Sequence, residues 1–148
     1  MTTTNAQNLA VGAPAPALKV TTDAGQPLNL ADAYKKGTTL VYFYPKADTP
    51  GCTVQACNLR DNMAALNDAG VQVLGVSADT VEAQDSFKKK YKLNFTLIAD
   101  QNREVIKAFG VSGRSSFLVK DGKIAWVQPK ATPASQAQDA LEAVKGLK

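Results

Sequence analysis

Two cysteines make up the whole thiol inventory of this 148-residue chain, and they stand five residues apart in Thr49-Pro50-Gly51-Cys52-Thr53-Val54-Gln55-Ala56-Cys57. On a straight helix this spacing rotates the second residue by about 140° and raises it by about 7.5 Å, leaving the Cα atoms roughly 8–9 Å apart. A disulfide needs less than about 7 Å, so an intact helix forbids the bond. A thiol is only a few per cent thiolate at neutral pH, and a reactive cysteine therefore needs its anion stabilised. The first turn of a helix does this through unpaired backbone N–H groups and the positive end of its dipole. Thr49 can add a hydroxyl hydrogen bond, Pro50 and Gly51 shape a tight approach, and Pro45 can shield the sulfur from bulk water. A thiolate so placed can attack a peroxide O–O bond to give a sulfenic acid, which condenses with a second thiol without needing a base or a metal. The alternative is that Cys52 is a small apolar residue beneath the helix start.

Composition narrows the chemistry. The chain has no histidine, which removes His-based zinc sites, Ser-His-Asp triads and Cys-His dyads. Neither a cofactor nor a metal is expected. A length of 148 residues with 45% hydrophobic content suits a single domain spanning 1–148 that needs no disulfide staple. Met1 to Ala10 lack the basic and apolar regions of a secretory signal, and no apolar run approaches the roughly 18 residues of a membrane span. The expected setting is the cytoplasm, where thiols stay reduced. The formal charge of +4 comes partly from Lys88, Lys89, Lys90 and Lys92. With Tyr91 as the lone aromatic among them, a solvated lysine face is expected and a nucleic-acid partner is not.

The elements that must position the cysteines can be read from periodicity. Met1 to Pro16 reads as irregular, and Leu18 to Thr21 with Leu28 to Leu30 reads as a small hairpin around Asp23-Ala24-Gly25. Thr39 to Tyr44 is a continuous β-branched and aromatic run, as in a strand covered on both faces. Asp48 to Gly51 makes a loop before a helix that opens near Cys52 and closes at Ala69-Gly70. Its apolar stripe is Cys52, Ala56, Leu59, Met63 and Leu66, which puts Cys52 toward the sheet and Cys57 away from it. Strands follow at Val71 to Val76 and Phe95 to Ile98. A helix capped by Asp79 or Thr80 runs to about Lys90, and one capped by Asn102 ends at Phe109-Gly110. Ser116 to Val119 and Lys123 to Val127 flank Asp121-Gly122, a type I′ hairpin signal. A last helix carries Ala137, Ala140, Leu141, Val144 and Leu147 on one side. The order predicts an α/β fold: a central mixed sheet with helices on both faces and an N-terminal hairpin.

The stretch Tyr42-Phe43-Tyr44-Pro45-Lys46-Ala47-Asp48-Thr49-Pro50-Gly51-Cys52-Thr53-Val54-Gln55-Ala56-Cys57 resembles the active-site segment of peroxiredoxins, in particular the bacterioferritin comigratory protein or peroxiredoxin Q branch. Pro45, Thr49 and Cys52 meet its P-x-x-x-T-x-x-C pattern, and the likeness extends to Asn94-Phe95-Thr96-Leu97 and Ser116-Phe117-Leu118-Val119. It implies a thioredoxin-like fold and thiol-dependent reduction of hydrogen peroxide and organic hydroperoxides. Cys52 would be the peroxidatic cysteine and Cys57 the resolving one; the alternative for Cys57 is a buried spacer, with resolution by an outside thiol. Thr49 would hydrogen-bond the thiolate and the peroxide, Pro45 would wall the pocket, and Arg114 would stabilise the thiolate and polarise the peroxide. As a structural residue, Arg114 would be a surface arginine at a strand entrance. Thioredoxin is the implied reductant, and a monomer the implied state. Because Cys57 cannot reach Cys52 on a folded helix, resolution would require local unwinding, which is cheap beside global unfolding. One departure is the short Ser112-Gly113 link between Phe109-Gly110-Val111 and Arg114, which suggests a more open pocket rim. Rival readings are a thioredoxin-type dithiol exchange protein, disfavoured by the four intervening residues, and a non-catalytic binding module on the same fold.

Overall fold

Strand β3, Thr38–Phe43, carries the centre of the molecule, and from Thr39 onward every residue in it is buried. In the computed structural model, which describes residues 9–111 and 113–147, its side chains alternate between two apolar layers as a strand's pleat requires. β3 pairs in parallel with β4 (Val71–Ser77), and β4 in parallel with β5 (Thr96–Ala99). On its other side β3 pairs antiparallel with β6 (Ser115–Lys120), which turns into β7 (Lys123–Gln128). The sheet order is β5-β4-β3-β6-β7, so the expected mixed sheet is observed. The β6–β7 turn holds Asp121 and Gly122 at φ 55° and 76°, the paired positive angles of a type I′ turn. A separate two-stranded sheet pairs β1 (Lys19–Thr21) with β2 (Pro27–Asn29).

Leu40 and Tyr42 face the layer made by α2 (Pro50–Asp61), α3 (Met63–Asp68), α4 (Val81–Tyr91) and α6 (Gln136–Lys145). Val41 and Phe43 face α1 (Leu30–Tyr34) and α5 (Glu104–Ala108). Helices therefore cover both faces. The stripe Cys52, Ala56, Leu59, Met63 and Leu66 is buried throughout, whereas Cys57 is only half-buried.

Four local expectations need correction. The helix after the Cys52 loop does not run unbroken to Asp68: Asn62 leaves helical geometry at φ −110° and ψ 12°, its amide donates to the Asn58 carbonyl, and its N–H bonds back to Leu59. Such local side-chain competition for backbone groups is typical of asparagine. The helix also begins earlier, with Pro50 in its first turn, where a missing N–H costs nothing. Leu30 leaves the hairpin to start α1, because the Asn29 side chain accepts from the Ala31 N–H. Finally, α5 is not capped by Asn102: the buried Asp100 carboxylate reaches over it to accept from the N–H groups of Val105 and Ile106. Thr80, one of the two caps expected for α4, does accept from Ala83 N–H. The irregular N-terminal reading holds for 9–16, which bridges to the hairpin at Pro14 and Lys123; positions 1–8 lie outside the described residues.

Three lysines of the cluster have acidic partners: Lys88 pairs with Asp23 at 3.3 Å, Lys89 with Asp85 at 2.9 Å and Lys90 with Asp48 at 2.9 Å. No helix among the described residues is long and apolar enough to cross a membrane.

Candidate active site

The C-terminal end of β3 delivers the chain into a loop, Tyr44 to Thr49, that enters α2. This loop is pinned from two sides. The Ala47 N–H donates to Asp79 Oδ2 at 2.8 Å, and the same carboxylate oxygen accepts from Ser77 Oγ at 2.6 Å. Asp48 sits in the left-handed region at φ 60°, a conformation unusual for a residue with a Cβ. Its carboxylate receives Lys90 Nζ at 2.9 and 3.2 Å and the Tyr91 hydroxyl at 2.8 Å. These bonds, from Lys90 first and Tyr91 second, hold the Asp48 carboxyl below its ordinary range. Asp79, expected as a possible helix cap, serves the loop instead.

Cys52 is the third residue of α2 and only 1% exposed. Its backbone N–H therefore belongs to the first turn, where intrahelical partners are missing and the dipole is positive. Arg114 immediately precedes β6, and the pairing of Ser115 with Phe43 brings it to the same end of β3. Its Nη1 donates to Cys52 Sγ at 3.4 Å and to Gln55 Oε1 at 2.9 Å. A guanidinium resting on a sulfur at a helix start stabilises negative charge developing there. Gly51 makes the approach feasible: a Cβ at that position would lie 2.8 Å from Arg114 Nη2. Both cysteines are free, within one continuous helix.

Thr49 is the N-cap residue of α2, yet its hydroxyl does not cap the helix; it donates to the Lys46 carbonyl at 2.8 Å. Its proton is thereby occupied while its lone pairs stay open to an incoming donor. Pro45 is exposed and lines a cavity of about 180 Å³ with Phe43, Tyr44, Arg103, Val111 and Gly113; Cys52 and Thr49 are not among its walls. The structure therefore brings Cys52 and Arg114 into contact, with Thr49 one turn before the sulfur and Cys57 on the same helix but the other side. A larger cavity, about 610 Å³, opens at the opposite end of the sheet beside Tyr34, Gly37 and Lys120, away from this chemistry.

Gln55 was not singled out from the sequence, although a signal was present. It lies three residues after Cys52, on the same helical face, so an amide interrupts the apolar stripe. It is fully buried, and besides accepting from Arg114 it donates from Nε2 to Gln136 Oε1 at 2.7 Å.

A buried thiol at a helix start, under an arginine, at the end of a mixed sheet's central strand defines a thiol peroxidase of thioredoxin-like fold. The AhpC/TSA family model matches residues 11–127, and the chain belongs to that family. It is 50% identical over 112 residues to peroxiredoxin Bcp of Escherichia coli, covering 76% of this chain and 71% of that one. To a putative peroxiredoxin bcp of Coxiella burnetii it is 42% identical over 137 residues, covering 83% and 90%. Among solved structures, peroxiredoxin Q of Xanthomonas campestris superposes with a TM-score of 0.85 at 28% identity, covering 92% of this chain and 97% of that one. The bacterioferritin comigratory protein of Xanthomonas campestris, whose structure is described for its alkyl peroxide reduction activity, superposes with a TM-score of 0.86 at 28% identity, covering 93% of this chain and 99% of that one.

Proposed function

We propose that the chain reduces hydrogen peroxide and organic hydroperoxides with Cys52 as the attacking thiolate and Cys57 as the resolving thiol. The contact of Arg114 Nη1 with Cys52 Sγ carries this reading. In the first step the Cys52 sulfur attacks one peroxide oxygen, the O–O bond breaks, and the other oxygen leaves as water or an alcohol after taking a proton. Cys52 is left as a sulfenic acid. Arg114 favours the thiolate and then the charge spreading over the two oxygens. Thr49, its own proton held by Lys46, accepts from the peroxide O–H and aligns it, and Pro45 borders the approach. In the second step the Cys57 sulfur displaces the hydroxyl from Cys52 as water. The disulfide now stores the oxidation, and a thioredoxin dithiol returns two electrons to restore both thiols. Alkyl hydroperoxides are included among the substrates by analogy with the Xanthomonas campestris relative.

The second step requires α2 to open between its first turn and Cys57, since helical spacing holds the two sulfurs apart. We read 1–148 as one domain acting as a monomer. Val11 and Val54 are the exposed large apolar side chains among the described residues, which is a scatter that does not call for a second copy. A pair that cycles between dithiol and disulfide fits a reducing compartment, and the cytoplasm is the proposed location.

The test is intact-protein mass spectrometry after one equivalent of hydrogen peroxide, with thiols blocked at the end. Loss of two hydrogens at monomer mass, with both thiols unreactive, is the expected result. In Cys57→Ser the expected product is one added oxygen on Cys52, with turnover by thioredoxin stalled. Unchanged thioredoxin-driven turnover in Cys57→Ser would move resolution outside the chain, and two untouched thiols in the wild-type protein would overturn the assignment.

A further inference from the structure

Gln55 lies between the two cysteines, so any opening of α2 that joins them must draw it from its buried partners. Those partners form a chain with one direction. Arg114 donates to Gln55, Gln55 donates to Gln136 at 2.7 Å, and Gln136 Nε2 donates to Gln128 Oε1 at 3.1 Å and Ser116 Oγ at 3.2 Å. Gln128 Nε2 then donates to Asp139 Oδ2 at 2.9 Å. The direction is fixed at both ends, because a guanidinium only donates and a carboxylate only accepts. No amide in the series can flip without leaving two donors or two acceptors face to face. Gln136, fully buried at the first position of α6, is the middle link that obliges Gln55 to turn its oxygen toward Arg114.

α6 holds α2 at a second point. The Asn58 Oδ1, one residue beyond Cys57, accepts from the Ala137 N–H at 2.6 Å, and its Nδ2 donates to Gln138 at 3.0 Å. An opening that spans Cys52 to Cys57 can leave this second tie in place, but it has to release Gln55 from Gln136. Resting on the resolution step read above, we propose that Gln136 is a positioning residue for the Cys52 chemistry: through Gln55 it holds Arg114 on the sulfur, and it sets how readily the turn between the cysteines opens.

The two halves act on different steps in opposite directions. Gln136→Met keeps the side chain's length and removes its amide. Loss of the buried link is expected to slow the first oxidation of Cys52 about tenfold, as the guanidinium loses its fixed partner, and to speed disulfide formation from the sulfenic acid by a similar factor. Both rates are read in a single turnover with one equivalent of hydrogen peroxide, quenched by thiol blocking and resolved by mass. Because Gln136 acts through Gln55, adding Gln136→Met to Gln55→Met is expected to change either rate by less than about twofold. Should Gln136→Met fail to fold, Gln136→Asn, one methylene too short to reach Gln55, carries the same test.

Rates equal to the wild type, rates slowed together, or effects that persist in the Gln55→Met background would overturn the proposal. A wild-type protein that forms no internal disulfide would overturn the resolution step and with it the opening half. The first-oxidation rate of Gln136→Met would still decide the Arg114 half.

Discussion

On the face of the sheet that carries α1 and α5, Phe43, Phe109 and Phe117 meet with ring centroids 4.9 to 5.7 Å apart, among Val41, Val76, Ile98 and Val119. On the face that carries α2, α4 and α6, three glutamines are fully buried. Gln55 and Gln136 link helix to helix, and Gln84 accepts from the Tyr44 hydroxyl at 2.5 Å while donating to the Ile98 carbonyl at 2.8 Å. Apolar contact is non-directional and summed over many small terms. A hydrogen bond holds one geometry and is lost when that geometry goes. Both faces hold the sheet through buried apolar clusters, but the second adds directional bonds suited to placing a particular nitrogen on a particular sulfur and, in the proposed resolution step, to releasing the segment between two cysteines.

Two substitutions should separate the faces most sharply. Cys52→Ser is expected to abolish peroxide turnover while leaving stability within about 1 kcal/mol of wild type, since the change is small and the helix remains. Phe109→Ala is expected to lower stability by about 3–5 kcal/mol, because it empties a fully enclosed ring site. Peroxide consumption coupled to thioredoxin, together with urea unfolding of both variants, gives the comparison. Appreciable turnover in Cys52→Ser, or an unaltered unfolding midpoint in Phe109→Ala, would break it.

A subtler change tests the polar face alone. Gly51 has an ordinary helical environment except for Arg114, so Gly51→Ala adds one methyl group in the path of the guanidinium. Alanine is the better helix former by roughly 1 kcal/mol in a helix interior and less at an end. Stability is therefore expected to hold or rise slightly, while the first oxidation of Cys52 slows about tenfold through loss of a charge-assisted contact. Stopped-flow oxidation by hydrogen peroxide measures this. A wild-type rate would mean that Arg114 adapts without leaving the sulfur.

The apolar framework was legible in the sequence because its signals are local and periodic. The run Thr39 to Tyr44, the Asp121-Gly122 turn and the stripe from Cys52 to Leu66 each declare themselves within a few residues, and each is found close to its expected place. The placement of Cys52 in the first turn of a helix was legible for the same reason, since Pro50 and Gly51 mark the start of that helix. The hydrogen-bonded parts were not. Asp100 caps a helix from four residues away, Asp79 holds a loop 32 residues earlier in the chain, and Gln55 meets Gln136 across 81. Such partners are chosen by topology, which a periodic pattern does not encode. The break at Asn62 is intermediate: the residue type hints at it, but an otherwise continuous apolar stripe hides it.

The smallest expected effect concerns the one place where the polar face is left incomplete. Tyr42 is fully buried, and its hydroxyl is the one buried side-chain polar atom without a hydrogen-bond partner among the described residues. Replacing it with phenylalanine removes a desolvated group that gains nothing in return, at almost constant shape. Tyr42→Phe is expected to stabilise the protein by about 1 kcal/mol at neutral pH. Burial, first among the causes, raises the Tyr42 phenol well above its ordinary value of 10.0. The folded state therefore keeps its proton where the unfolded chain loses it, and stability falls as pH climbs above about 10. Without that group the variant should fall less steeply, so its advantage over the wild type should widen between neutral and strongly alkaline pH. Urea midpoints at both pH values measure this. A variant less stable than wild type at neutral pH would show that the hydroxyl has a partner after all, and that the polar face is complete.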